Sequence, residues 1–206
     1  MKYSRVAYPP HAPWDPRLKE PACAGLVPVE TLHENPWFRV RNRGGYYTIE
    51  HRQSHVIVLP IVNQDSIVMV RAKRPVVGDD PLELPAGQIE NGEAPEQGAG
   101  RELAEETGIE VGDLTRFVPM PPLAHSPGRT PKLVFVFRID LDQREYDERK
   151  NHDDEVSAVE RFNYRDMVRA IGDGSVYVST PVAVIGRYLM SELLPGLDRS
   201  GSGEEL

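Results

Sequence analysis

The stretch from Gly87 to Ile109, GQIENGEAPEQGAGRELAEETGI, constrains the fold of this chain more than any other part of the sequence. Proline is favoured in the first turn of a helix and glycine just beyond its end, so Pro95 and Gly108 predict a helix that runs to about Thr107. The segment PLELPAG before it predicts a short strand or bend. A strand and a loop therefore lead into a highly charged helix.

Three carboxylates are predicted on one face of this helix. Glu102, Glu105 and Glu106 fall within a sector of roughly 100°, where like charges repel, so we expect a positive group beside them. Hard cations such as Mg²⁺ take oxygen ligands, typically one or two carboxylates with water and substrate phosphates. Gly98, one turn earlier, would leave space above the carboxylates. A solvated acidic face is the alternative for the three glutamates considered alone.

Composition limits the partners and the compartment. An apolar fraction of 39% and a longest apolar run of seven residues, VIVLPIV, predict a globular protein without a membrane segment. The net charge of −8 repels polyanions, so we expect no nucleic-acid partner, although metal ions could reverse the field locally for a small anion. Cys23 is the only cysteine, and with no export signal in the first residues it favours a cytoplasmic location.

Strands are predicted both before and after the charged helix in the sequence. Alternating residues around Gly44 and Gly45 predict a hairpin, and HVIVLPIV and SIVMVRAKR predict two strands joined by a turn at NQD. After the helix we expect a proline-rich loop, RFVPMPPLAHSPGRT; a strand, KLVFVFRIDL; an acidic loop, REYDERKNHDDE; another strand, VSAVERFNY; and two helices, RDMVRAIGDG and STPVAVIGRYLMSELL.

The charged stretch resembles a known family motif, the Nudix box. Its pattern is Gly, five residues, Glu, seven residues, then Arg-Glu-apolar-any-Glu-Glu-any-Gly-apolar, and a chance fit in a chain of this length is on the order of one in a million. All nine positions fit: Gly87, Glu93, Arg101, Glu102, Leu103, Glu105, Glu106, Gly108 and Ile109. A looser resemblance to the ADP-ribose and nucleoside diphosphate sugar pyrophosphatase branch extends from about Tyr47 to Leu194.

The resemblance implies an α+β fold class and a domain organisation. We expect the Nudix fold, an α/β/α sandwich with a mixed central sheet, plus an N-terminal strand-containing arm. The domain would cover residues 46–194, after an arm and strands over residues 1–45 and before a flexible tail over residues 195–206. Because N-terminal strands are commonly exchanged between subunits in this branch, it also implies a homodimer.

The resemblance also implies a metal centre and a reaction. Glu102 and Glu106 would be the principal Mg²⁺ ligands, with Glu105 as a further ligand or water orienter and the carbonyl of Ala86 as another ligand; Mn²⁺ could replace Mg²⁺. A salt bridge between Arg101 and Glu93 would brace the loop and helix. The enzyme would hydrolyse the pyrophosphate bond of ADP-ribose or a related nucleoside diphosphate sugar.

The general base and the substrate contacts are expected outside the box. In the resembled branch the base lies in a later loop, which makes Glu155 the leading candidate, ahead of Asp154 and Asp153. A plain solvated turn is the alternative there. The substrate-binding candidates are Arg74, Pro127, Gly128, Arg129 and Tyr47.

One departure and three alternatives stay open. Many members carry a glutamate shortly after the Pro-Gly of this loop, where this chain has Pro131 and Lys132, so Arg129 or Lys132 could instead meet a phosphate or another charged distal group. Other Nudix substrates, namely dinucleoside polyphosphates, NADH and nucleoside triphosphates, are the nearest alternative. The others are a non-catalytic nucleotide-metabolite sensor and an RNA-processing enzyme, for which no basic surface is visible.

Overall fold

The structure, a computed structural model, describes residues 15–193. Its strands are β1 (Val29–Glu34), β2 (Phe38–Arg43), β3 (Tyr46–His51), β4 (His55–Val62), β5 (Ser66–Ala72), β6 (Leu82–Glu83), β7 (Ala86–Gln88), β8 (Val118–Leu123), β9 (Val134–Leu141) and β10 (Val156–Asn163). Its helices are α1 (Pro95–Thr107), α2 (Gln143–Asp147), α3 (Tyr164–Gly172) and α4 (Ser179–Leu193). The predicted tail and the first 14 residues of the predicted arm lie outside the described residues.

A mixed sheet of seven strands carries the fold. Its order is β10-β5-β4-β9-β8, with β6 paired to β5 and β7 paired to β4. Strands β4 and β9 are parallel, and the other pairs are antiparallel. The short strand β7 therefore places the start of the box at the edge of the central strand β4.

Apolar side chains are buried on both faces of this sheet. Along β4, Ile57, Leu59 and Ile61 pack in a core with α3 and α4, whereas Val56 and Val58 pack in a second core with α1. Successive side chains of a strand point to opposite faces, so a strand buried on both sides reads as a continuous apolar run. The arrangement is the predicted α+β fold, an α/β/α sandwich with a mixed sheet.

A separate antiparallel sheet, β1-β2-β3, precedes the mixed sheet. The hairpin predicted around Gly44 and Gly45 is present, and both glycines have positive φ. The boundary expected between residues 45 and 46 falls at this turn, inside the small sheet, and the division into arm and domain stays a prediction.

Two segments differ from the secondary structure predicted for them. The proline-rich loop contains β8, an edge strand whose pairing with β9 is irregular between Met120 and Leu123, where two prolines follow each other. Proline lacks an N–H group but is tolerated on an edge strand, so the sequence prediction of a loop was wrong there. The acidic loop contains the short helix α2, which begins with a reciprocal capping box between Asp142 and Glu145.

Among the helices that the structure describes, none is long and apolar enough to cross a bilayer.

Candidate active site

The box occupies β7, a loop and α1, as its residue types dictate. Helix α1 begins at Pro95 and ends at Thr107, and it is capped by Gly108, whose φ of 74° is the left-handed conformation that glycine adopts at little cost. A Cβ on Gly108 would lie 2.0 Å from the carbonyl oxygen of Lys150, so a second constraint also requires glycine there. Ala99 and Leu103 anchor the opposite face of α1 in the core.

The three glutamates predicted on one helix face separate in the structure. Glu102 and Glu106 are buried, with exposed fractions of 8% and 7%, whereas Glu105 lies at the rim with an exposed side chain. The backbone amide of Ala86 donates a hydrogen bond of 3.0 Å to Oε2 of Glu106. The helix therefore presents two buried carboxylates toward β7.

Glycines set the distance between β7 and α1. A Cβ on Gly87 would lie 2.1 Å from Oε1 of Glu102, so the helix carboxylate occupies the space that a side chain on β7 would fill. Gly98 does not leave the space above the carboxylates that the sequence suggested. It is buried, and a Cβ there would lie 3.2 Å from both Ile89 and Glu93, so tight packing against the loop explains it.

Arg101 is the positive group expected beside the carboxylates. Its guanidinium donates to both carboxylate oxygens of Glu93 at 3.1 and 3.3 Å and to the carbonyl of Gln88 at 2.6 Å. The third nitrogen lies 2.9 Å from Glu102 and 2.8 Å from Glu105. Burial opposes the charged form, but the hydrogen bond to Glu93 and the neighbouring carboxylates outweigh it and raise the pKa of Arg101.

Burial disfavours the charged forms of the two buried carboxylates, Glu102 and Glu106. Burial, with a smaller contribution from the charge of Glu102, raises the pKa of Glu106 to about 8 against the opposing hydrogen bond from Ala86. Burial also raises the pKa of Glu102, although Arg101 partly offsets the effect. A cation held between them would remove this penalty.

The donor set fits a hard divalent cation bound with its substrate. The described residues contain no cluster of three or more His, Cys, Asp or Glu groups placed to share one metal ion. They do contain two buried carboxylates, Glu102 and Glu106, and Mg²⁺ in phosphate-processing sites usually takes only one or two carboxylates and completes its shell with water and phosphate oxygens.

The loop that carries the predicted base is tied to α1. The amide of Asp153 donates to the carbonyl of Glu105 at 2.8 Å, and the amide of Lys73 donates to the carbonyl of Glu155 at 2.9 Å. The exposed carboxylate of Glu155 and the buried one of Glu106 both contribute to raising the pKa of Arg74, after its hydrogen bond to Glu83. Glu155 thus lies within electrostatic reach of the same arginine as a box glutamate.

A cavity of about 320 Å³, here called the box cavity, opens beside β7. Its lining includes His55, Arg74, Glu83, Ala86, Gly87 and His125. Arg74 donates to both oxygens of Glu83 through Nε and Nη2, at 2.9 and 3.2 Å, and keeps Nη1 for another partner. The cavity therefore joins a positively charged group to the strand that faces the buried carboxylates.

A second cavity of about 320 Å³, here called the distal cavity, shares His55 and His125 with the box cavity. The loop that follows β8 contributes His125 and the run from Thr130 to Leu133 to its lining, including Lys132. The predicted contacts Pro127, Gly128 and Arg129 lie instead at an exposed turn, and among the described residues they line neither cavity. Neither does Tyr47, which is exposed on β3.

Sequence reasoning did not single out His51, His55, His125 or Glu83. Glu83 could have been found, since it lies in the segment LELPAG that leads into the box. The histidines carry no spacing signal, because His125 is 70 residues beyond His55 (125 − 55) and reaches it only through the pairing of β4, β9 and β8.

Comparisons with known proteins agree with this geometry. A model of the NUDIX domain matches residues 51–177. An ADP-ribose pyrophosphatase of Bacillus subtilis is 30% identical over 139 residues, which cover 68% of this chain and 74% of the relative. A methanol dehydrogenase activator of Bacillus methanolicus is 29% identical over 140 residues, with the same coverage of 68% and 74%.

A third relative is similar over a shorter segment. An ADP-sugar pyrophosphatase of Mus musculus is 42% identical over 73 residues, 32% of this chain and 34% of the relative. The domain match covers more than half of the chain and includes the complete box at the β7–α1 junction. The chain therefore belongs to the Nudix family and is a Nudix pyrophosphatase.

Proposed function

We propose that the protein hydrolyses the pyrophosphate bond of ADP-ribose or a related nucleoside diphosphate sugar in a Mg²⁺-dependent reaction, giving a nucleoside monophosphate and a sugar phosphate. The observation that carries the proposal is the pair of buried carboxylates, Glu102 and Glu106, facing the wall of the box cavity. Two relatives whose names specify ADP-ribose or ADP-sugars support the substrate class.

Glu102 and Glu106 would hold the metal, with the Ala86 carbonyl and Glu105 as further oxygen donors. When bound, Mg²⁺ neutralises the pyrophosphate charge, polarises the P–O bonds and acidifies the attacking water. Mn²⁺ has the same preference for oxygen ligands and could replace it. Arg101 positions Glu102 and Glu105 through its ion pairs and fixes the loop through Glu93.

Glu155 is the proposed general base. Its carboxylate is exposed on a loop that is fastened to α1 and to the residue after β5, so it can approach a water molecule that the site orients. The Nη1 group of Arg74, which the ion pair with Glu83 does not use, would bind a phosphate oxygen of the substrate in the box cavity.

We also propose a homodimer in which the small sheet forms the interface. All six residues of β1 are exposed, and exposed apolar residues include Leu32 on β1 and Trp37 in the β1–β2 connection. Several exposed apolar residues gathered on one small sheet favour an interaction site there. The aromatic Tyr47 on the same sheet would then contact the neighbouring subunit or stack on the base of its substrate.

The partners and compartment follow from charge and cysteine content. With a net charge of −8 the enzyme would act on a small-molecule nucleotide and not on nucleic acid. A single cysteine, Cys23, suits a reducing compartment such as the cytoplasm.

A second candidate function is the hydrolysis of another nucleotide. The Bacillus methanolicus relative is named for activating methanol dehydrogenase and not for an ADP-ribose activity, at an identity within one per cent of the first relative. Dinucleoside polyphosphates, NADH and nucleoside triphosphates would use the same box. A sensor that binds without turnover is the third candidate.

A substrate panel separates these candidates. ADP-ribose, GDP-mannose, UDP-glucose, NADH, diadenosine polyphosphates and dNTPs are incubated with Mg²⁺ or EDTA, and a coupled phosphatase releases phosphate from monoester products. We expect metal-dependent cleavage of the diphosphate sugars. Preferred cleavage of another nucleotide would select the second candidate, and binding without turnover of any compound would select the sensor.

A further inference from the structure

The distal cavity lies where the small sheet, the loop before β9 and the start of β4 meet. The backbone amide of Ile49 on β3 donates to the carbonyl of Arg129 at 2.9 Å, which ties the loop to the small sheet. The cavity adjoins the box cavity, because His55 and His125 line both. A ligand bound at the box therefore has the distal cavity beside it.

Basic groups dominate the lining of the distal cavity. They are Arg39, His51, Arg52, His55, His125 and Lys132, and Glu50 is the only acidic residue among the described lining residues. The carboxylate of Glu50 already accepts hydrogen bonds from two arginines that do not line the cavity, Arg41 at 3.0 Å and Arg43 at 2.5 and 3.1 Å. Arg41 and Arg43 thus already compensate the negative charge of Glu50.

The positively charged side chains of the cavity lining outnumber the carboxylates that pair with them. Arg39 and Arg52 both pair with one carboxylate, that of Glu34. Lys132 makes no hydrogen bond or ion pair with any of residues 15–193. Among the described residues, the three cations Arg39, Arg52 and Lys132 thus share one paired carboxylate, an excess of two positive charges in a chain whose net charge is −8.

The histidines add hydrogen-bond donors to this charge. The rings of His51 and His55 lie edge to face with centroids 4.8 Å apart, and Nδ1 of His51 is buried without a hydrogen-bond partner in the described part of the chain. Burial lowers the pKa of His55 to about 4, so it is a neutral imidazole near pH 7. The positive charge comes from Lys132 and the arginines, and the imidazoles supply N–H groups.

We propose that the distal cavity binds a phosphate monoester carried by the substrate beyond its diphosphate, an inference that rests on the proposed function. A phosphate monoester brings close to two negative charges and three acceptor oxygens, which match the unpaired cations and the imidazole donors. A neutral sugar would leave Lys132 unmatched. The substrate class is then a phosphorylated nucleoside diphosphate sugar.

Three compounds test the proposal with the full chain and Mg²⁺: ADP-ribose, ADP-ribose 2′-phosphate and ADP-ribose 1″-phosphate. We expect one of the two phosphorylated compounds to be cleaved with a kcat/KM about tenfold above that of ADP-ribose, the effect of one charge-assisted hydrogen bond. The preference should fall toward unity in Lys132→Met and be kept in Lys132→Arg. Arg144→Met removes an exposed positive charge on α2 and should leave the preference unchanged.

The outcomes are separable. Cleavage of ADP-ribose without a preference for either phosphorylated compound would overturn this inference and leave the proposed function standing. Inorganic phosphate is added to the ADP-ribose assay, and a change in turnover without any preference would assign the cavity to a free anion and also overturn the inference. If no compound is cleaved, calorimetric binding of the three compounds decides: tighter, Lys132-dependent binding of a phosphorylated compound upholds the cavity, and equal binding overturns it.

Discussion

Glu102 and Gly87 lie in direct contact: a Cβ atom on Gly87 would fall 2.1 Å from Oε1 and 2.3 Å from Oε2 of Glu102. The carboxylate is nearly inaccessible to solvent and is held from the other side by Arg101 at 2.9 Å. Glycine at position 87 is therefore required by the position of a metal-binding candidate and not by a backbone turn. This contact ties β7 to α1 at the candidate metal site.

Gly87→Ala is expected to abolish most activity while the protein stays folded. The new methyl group would displace the carboxylate of Glu102, which is the end of a flexible side chain, and leave the backbone in place. A displacement of about 1 Å in a catalytic group costs roughly 100-fold in rate, so kcat/KM should fall by about that factor. Steady-state assays measure the loss of activity, and thermal unfolding shows whether the variant stays folded.

Gly186→Ala is the matched control for this substitution. Nothing lies within 4 Å of a Cβ at this position in α4, so activity should not change and stability should rise by up to about 1 kcal/mol. Wild-type activity in Gly87→Ala would show that Glu102 is not needed where the structure places it.

Glu106→Gln is expected to lower kcat by about 100- to 1,000-fold because it removes the charge of a buried carboxylate proposed to hold the metal. The amide oxygen can still accept the hydrogen bond from Ala86, so the metal-free protein should unfold near the wild-type temperature. Mg²⁺ should raise the unfolding temperature of the wild type and not of this variant. Glu110→Gln, an exposed glutamate paired with Lys150, should retain both activity and the response to Mg²⁺.

Local signals account for what could be predicted from the sequence. Proline and glycine bound α1 at the predicted residues because helix ends depend on a few neighbouring positions. Strands β4 and β5 were predicted because both faces are buried and the apolar runs are continuous. The strand β8 was missed because proline argues against a strand unless the strand is known to lie at an edge.

The cavities could not be predicted in the same way. The distal cavity combines residues from β2, the β3–β4 connection and the β8–β9 loop, and the box cavity combines residues from β4, β6, β7 and the start of α4. Only the tertiary fold brings these segments together. The turn residues Pro127 to Arg129 have the more recognisable sequence, yet Thr130 and Lys132 face the distal cavity. Turn chemistry fixes a loop's shape and leaves open which side chains point inward.

Leu32→Asp is expected to convert the proposed dimer into a monomer. Leu32 is an exposed apolar residue on β1, and a carboxylate there would be buried against the partner at a cost of several kcal/mol. Light scattering after size exclusion measures the mass. Val168→Asp, at an equally exposed apolar position on α3, should leave the mass unchanged. A wild-type protein that is monomeric at all concentrations would contradict the dimer.

Glu155→Gln is expected to lower kcat by roughly 100-fold or more with little change in KM, since a general base acts on the chemical step. The effect should lessen as pH rises and hydroxide replaces the base. Asp154→Asn is the control, because Asp154 is exposed beside it on the same loop. A normal kcat in Glu155→Gln would transfer the role to another group.

Asp153→Asn tests whether the loop must be held in place. The side chain of Asp153 accepts from the amide of Glu155 at 3.0 Å, and an amide oxygen can replace that acceptor. We therefore expect a mild loss of kcat, well short of that in Glu155→Gln. A larger loss than in Glu155→Gln would favour Asp153 as the base.

The half-buried imidazole of His55 is expected to make stability fall in acid. Its pKa is about 4 in the folded protein against 6.5 for the ordinary group, so the unfolded chain binds more protons between these values. The free energy of unfolding should therefore fall as pH drops from about 6.5 to about 4, and this group contributes at most roughly 3 kcal/mol to the fall. Above about pH 6.5, the protonation of His55 should not affect the free energy of unfolding. Urea unfolding at about pH 7.5, 5.5 and 4.5 measures how the free energy of unfolding depends on pH.

The variant His55→Gln should show a weaker dependence on pH in this range. His33→Gln, which replaces an exposed histidine on β1, should show the same dependence as the wild type. An equal acid slope in His55→Gln and wild type would show that other groups, such as His51, carry the dependence.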